Sequence, residues 1–181
     1  MNIYTINDLS NDKVVNALKN GLSEITDERI IKNYHPDYTH FSGNLFYILE
    51  HGRYNKGNYF VITDDYDNFI ASAGWYQYEL DTSIALLLTR MYVSLKHRTQ
   101  YHIGNYILPK ILDEVKGYEN LWVTWNNHND AISKWFDRAD RGKSTALFNN
   151  WPDIYKKFKP IGKKIIYYTE QHVAEFRLEH E

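Results

Sequence analysis

The chain has 181 residues, with 21 basic and 23 acidic side chains and no cysteine. That length suits a single domain over 1–181 with a sizeable core, and the lack of cysteine excludes disulfides and thiolate metal sites. Near-neutral charge argues against a nucleic-acid binder, which needs a basic excess to displace counterions.

The first five residues lack a basic region followed by an apolar run, so no signal peptide is expected. The longest apolar run, 84–88, is far shorter than the roughly 18 residues that span a bilayer. The cytoplasm is the expected location, with no membrane partner. The 16 tyrosines and 5 tryptophans suit sheets, cores and ligand clefts alike.

A short strand near Ile3 and Tyr4 leads to Ser10-Asn11-Asp12, a helix start, after which Val14, Val15, Leu18, Leu22 and Ile25 recur at helical spacing. A second helical pattern at Leu45, Phe46, Ile48 and Leu49 stops near His51-Gly52. The period then changes to that of strands. Residues 59–63 and 69–78 flank the turn cluster at 64–68 and read as a hairpin. A further turn at 81–83 leads into a long third strand over 84–93, apolar on both faces at 85–88. Ile103, Ile107, Ile111 and Val115 predict a helix over 103–116, ended by Gly117, with Pro109 expected to kink it. A strand over 121–125 and a helix over 130–138 follow, 144–160 has no clear pattern, and the chain ends in terminal strands, with 164–178 mostly strand. Strands on either side of a helix favour a mixed α/β (α+β) sheet with a parallel crossover.

Chemistry concentrates in the stretch 91–105, where a buried strand ends, a basic loop follows and a helix opens at a glycine. Unpaired N–H groups and the dipole at a helix N-terminus favour an anion such as a pyrophosphate, and Lys96 and Arg98 add charge. The bland alternative is a solvated loop in which Gly104 serves only close packing.

The element order and this junction resemble the GNAT superfamily of acyl-CoA-dependent N-acyltransferases. The family signature is a strand-ending Val, then Arg or Gln, two residues, Gly, one residue, and Gly or Ala. Val93, Arg98 and Gly104 fit, but Arg98 and Gly104 are six residues apart rather than five, and counting back from Gly104 places Thr99 at the basic position and His102 at the middle glycine. The resemblance implies a six- or seven-stranded mixed sheet with a β-meander, splayed central strands, helices on both faces and a final two-stranded pair formed by 158–162 and 164–178. It also implies acetyl-CoA as co-substrate, held by Tyr92, Val93, Arg98, Thr99, Gln100, Tyr101, His102, Ile103, Gly104 and Asn105. Downstream, Asn129 or Asn127 would contact the cofactor, although Asn129 equally suits an N-cap. Trp135 fills the position of the family's Tyr that protonates the leaving thiolate, which Trp cannot do.

If the resemblance holds, an amine attacks the thioester directly while a backbone N–H near Tyr92 or Val93 holds the acetyl oxygen. Candidate general bases are Glu79 and Asp137; both also read as surface carboxylates. Arg90 shares a strand face with Tyr92 by alternation, and needs either a structural carboxylate or an acidic substrate group. The acceptor would be a small-molecule or peptide amine, a peptide N-terminus or a lysine. A non-enzymatic scaffold with a degenerate cofactor loop is the alternative, and a small nucleotide-binding module the third. No metal site is expected: neither His35 with His40 nor His97 with His102 has ligand spacing backed by carboxylates or thiolates. Oligomeric state is open, a homodimer included.

Overall fold

A computed structural model describes residues 1–5, 7–8, 11–26, 53–100, 102–125, 154, 157–166 and 169–178. Seven strands form one sheet: β1 (Asn2–Tyr4), β2 (Gly57–Thr63), β3 (Phe69–Glu79), β4 (Ile84–Val93), β5 (Asn120–Trp125), β6 (Lys159–Ile166) and β7 (Thr169–Arg177), in the order β1-β2-β3-β4-β5-β7-β6. β2, β3 and β4 are an antiparallel meander, and β5 joins β4 in parallel after the helical crossover. The final two-stranded pair that the resemblance implies over 158–162 and 164–178 is present as β6 antiparallel to β7, with the first strand running on to Ile166.

Helices pack on both faces. Helix α1 (Asp12–Leu22) starts where Asn11 accepts the Lys13 N–H at 3.0 Å, a cap of about 1 kcal/mol. Its Val14, Leu18 and Leu22 are buried in one cluster with Val61 of β2, Phe69 and Tyr76 of β3, and Ala85 and Leu87 of β4. The opposite face carries Leu86 and Leu88, under Ile103, Ile107 and Ile111 of the crossover. Burying each of those side chains contributes roughly 1.5–3 kcal/mol. Among the described residues no helix is long and apolar enough to cross a membrane. The helical patterns at 45–49 and 130–138 lie outside the described residues.

The crossover helix departs from the continuous α-helix expected over 103–116. Residues Ile103–Ile107 form a π turn, and α2 proper is Leu108–Glu114 with Pro109 in its first turn. Proline has no N–H, so the α-helical bond from residue 109 back to residue 105 cannot form. The chain widens instead, and the Leu108 N–H reaches the Ile103 carbonyl five residues back. The expected kink thus takes the form of a wide turn directly after the basic loop. At the other end, Glu114 accepts Trp75 Nε1 at 2.6 Å and Asn58 Nδ2 at 2.7 Å, which ties the helix to β3 and β2.

Candidate cofactor and active site

Two features of β4 shape its C-terminal half. The parallel ladder with β5 covers Leu87 with Trp122 and Leu88 with Val123. Beyond it, Thr124 and Trp125 continue to pair with β7, while β4 continues only along β3. The strands therefore part after Leu88, and the edge of β4 over residues 89–93 has polar backbone groups that β5 does not take.

Within that stretch β4 bulges. Gly74 pairs with Thr89 and Ser72 with Tyr92, so Ala73 faces two residues, Arg90 and Met91. Arg90 has φ 54°, a conformation that costs a non-glycine residue of order 1–3 kcal/mol unless its surroundings hold it. The bulge reverses the alternation. Met91 and Val93 pack beside Leu86 and Leu88, whereas Tyr92 lies on the other face with Ala85 and Leu87. Simple alternation from Leu88 therefore fails for Tyr92.

Two buried tyrosines brace this region. The Tyr59 hydroxyl donates to Ser72 Oγ at 3.0 Å and approaches the Arg90 carbonyl at 3.5 Å, and the Tyr54 and Thr89 hydroxyls share a hydrogen bond at 2.8 Å. Burial raises both phenols well above the usual tyrosine range; their hydrogen bonds and the nearby Arg90 charge act the other way. They are neutral struts at working pH.

The basic loop leaves β4 at Ser94, whose N–H bonds to the Ile70 carbonyl. Arg98 folds back over the strand end: its Nε donates to the Val93 carbonyl at 3.3 Å, and its guanidinium carbon lies 5.7 Å from the centre of the Tyr92 ring. Thr99 and Gln100 are exposed in the turn that follows. His102, at the position of the family's middle glycine, turns inward and is only 7 % exposed. Its Nε2 bonds to Gln100 Oε1 at 2.9 Å, and the same oxygen meets His97 Nδ1 at 3.3 Å. Nδ1 of His102 is buried without a partner among the described residues. Ile103 and Gly104 are buried and Asn105 is exposed, so the helix opens with its small residue against the core. The structure thus brings Tyr92, Val93, Arg98, Thr99, Gln100, His102, Ile103, Gly104 and Asn105 together at one end of β4, with Arg90 beside them. Tyr101, Asn129, Trp135 and Asp137 lie outside the described residues.

Glu79 is not brought to this end. It pairs with Ile84, the first residue of β4, and bonds to Lys56 at 3.4 Å. Nine residues of strand separate that position from Val93, roughly 30 Å, which is too far for proton transfer at the splayed end. The carboxylate that does reach the β4 exit is Glu24, which local pattern did not mark. It accepts from the Tyr92 hydroxyl at 3.2 Å and from the Leu95 N–H at 3.0 Å. Among the described residues no three His, Asp or Glu side chains converge as a metal site.

Burial, and secondarily the charge of His97, holds the His102 imidazole below its ordinary value. The unfolded chain then binds more protons than the folded one once pH falls below about 6.5. Stability should be complete above that pH and decline as pH falls toward the depressed folded value. His102→Gln is expected to flatten thermal midpoints between pH 7 and 5; an unchanged slope would show that His102 is not the titrating group.

No protein-family model matches the chain, and no curated protein matches it significantly. Solved structures do match. A GNAT-family acetyltransferase from Staphylococcus aureus superposes with TM-score 0.59 at 16 % identity, covering 98 % of this chain and 99 % of that one. An N-acetyltransferase from the same organism gives 0.58 at 18 %, covering 98 % and 97 %. The ribosomal-protein-S5-alanine acetyltransferase of Vibrio fischeri gives 0.56 at 10 %, covering 98 % and 92 %. The chain has the fold of the GNAT acetyltransferases.

Proposed function

We propose that this chain is an acetyl-CoA-dependent N-acetyltransferase that acts on a primary amine. The observation that carries the reading is the parting of β4 from β5 after Leu88, next to the basic loop and helix start at 94–104. Bound acetyl-CoA would supply the acyl group as an activated thioester. The edge of β4 near Tyr92 and Val93, which is not paired with β5, can present a backbone N–H to an acyl oxygen, in a place held by β3 and the two tyrosines. Arg98, with Nε committed to the Val93 carbonyl, keeps its terminal nitrogens outside that bond, close to the loop where a diphosphate would sit. The inward turn of His102 keeps the imidazole out of the loop's outer surface, so a residue larger than glycine is accommodated there. The acceptor is a small molecule, a peptide N-terminus or a lysine, and the V. fischeri neighbour, named for alanine acetylation, makes an N-terminal peptide amine a sensible first probe.

Calorimetric titration with acetyl-CoA tests the reading. Micromolar binding is expected, weakened about tenfold in Arg98→Ala, the order of one lost charged hydrogen bond. No binding at millimolar acetyl-CoA, with no thermal shift, would overturn the enzyme assignment and favour a scaffold that keeps the fold.

A further inference from the structure

Glu24 stands on the short 3-10 turn, Ser23–Thr26, that follows α1. Its Oε2 accepts the Leu95 N–H at 3.0 Å and the Tyr92 hydroxyl at 3.2 Å, and its Oε1 accepts the Ser94 hydroxyl at 3.4 Å. One carboxylate thus holds the last buried ring of β4 and the first two residues of the basic loop. The contact links α1, on one face of the sheet, to a loop that leads to the helix on the other. An ionised carboxylate has about four acceptor sites. Three are committed to protein donors, so the group is arranged to hold the strand end.

We propose that Glu24 is a positioning residue that sets the path of the chain out of β4 and thereby the affinity of the loop for a diphosphate-bearing acyl donor. The ligand half rests on the acetyl-CoA reading; the positioning half does not. Without Glu24 the Leu95 N–H loses its acceptor, and the Ser94 and Tyr92 hydroxyls lose theirs. Among the described residues, the Ser94 N–H bond to Ile70, the His97 N–H bond to the Ser94 carbonyl and the Arg98 bond to Val93 remain at the exit of β4, but none of them holds the Leu95 N–H. The loop would sample paths that place Arg98 and the helix start away from a common ligand.

The test compares wild type with Glu24→Ala, Glu24→Gln and Glu24→Asp by amide exchange at Leu95, calorimetry with acetyl-CoA, and thermal midpoint. Glu24→Ala is expected to speed Leu95 exchange and weaken acetyl-CoA at least about tenfold, as for a charged hydrogen bond lost. Glu24→Gln, which keeps one acceptor oxygen, should fall between, and it carries the test if the alanine variant does not fold. Val14→Ala provides the control, since it loosens α1 without touching the loop: its midpoint should fall while Leu95 exchange and affinity hold. Affinity and exchange that follow the midpoint equally in Val14→Ala and Glu24→Gln would overturn the proposal, leaving Glu24 a general stability residue. If wild type does not bind acetyl-CoA, the cofactor reading fails, while Leu95 exchange still decides whether Glu24 positions the loop.

Discussion

Replacing Gly74 by alanine is expected to destabilise the protein by about 3 kcal/mol, the upper part of the range for overpacking a core. Gly74 lies mid-β3, between Tyr59 on β2 and Thr89 on β4. A Cβ there would lie 2.4 Å from Tyr59 Cδ2, 2.7 Å from Tyr54 Cε1 and 2.8 Å from the Asn58 carbonyl. The glycine is the gap through which the Tyr54 ring crosses β3 to reach Thr89. Neither ring can retreat cheaply, because Tyr54 and Tyr59 pack edge-on at 5.3 Å and both hydroxyls are committed. The backbone oxygen cannot move without breaking the β2–β3 register. A fall of roughly 6–12 °C in thermal midpoint follows for a chain of this size. Pairing the change with Tyr59→Ala should give a loss smaller than the sum, since the shared clash is then removed. A loss below about 1 kcal/mol would mean that β3 shifts and the tyrosine brace is looser than described.

Ile107→Ala is expected to cost about 2–5 kcal/mol, the range for emptying a fully buried aliphatic site. Ile107 is 0 % exposed and ends the π turn, packed in the cluster that includes Leu86 and Leu88. Its neighbours are strands in a continuous sheet on one side and the wide turn on the other, so collapse into the void must come from the turn. That movement would carry the helix start at 102–104 with it. Urea unfolding is therefore expected to show the stability loss, and calorimetry a weaker response to acetyl-CoA than in wild type. A full stability loss with unchanged acetyl-CoA affinity would separate the π turn from the ligand site.

Elements written in local pattern were legible before any coordinates. β4 has the bounds expected of the strand over 84–93, and its centre at 85–88, apolar on both faces, is the part buried on both sides. The meander followed from turn clusters, and the crossover helix from the apolar face of Ile103, Ile107, Ile111 and Val115, closed by Gly117. Pro109 signalled trouble inside the crossover helix, and the strict four-residue spacing of Ile103, Ile107, Ile111 and Val115, wider than the 3.6 of an α-helix, fits the wide turn that results. The loop residues from Arg98 to Asn105 follow from the resemblance to the GNAT signature, and the structure gathers the described ones at one end of the sheet.

The rest depended on contacts between distant parts of the chain. Glu79 was marked as a base because it ends a strand, but only the β3–β4 register shows which end of β4 it meets. Alternation along β4 gave no warning of the bulge at Arg90, which is held by partners on β2 and β3 rather than by its neighbours in sequence. Glu24 sits 71 residues from the amide it accepts, on a polar turn with no motif of its own. The inward turn of His102 likewise reflects the packing beneath it. Sequence by itself determined the strands, the crossover helix and the basic loop, since periodicity and backbone chemistry act over a few residues. Tertiary structure decided the parting of β4 from β5, the phase reversal at the bulge and the carboxylate at the strand exit, since register and long-range hydrogen bonds exist only once the sheet has closed around its core.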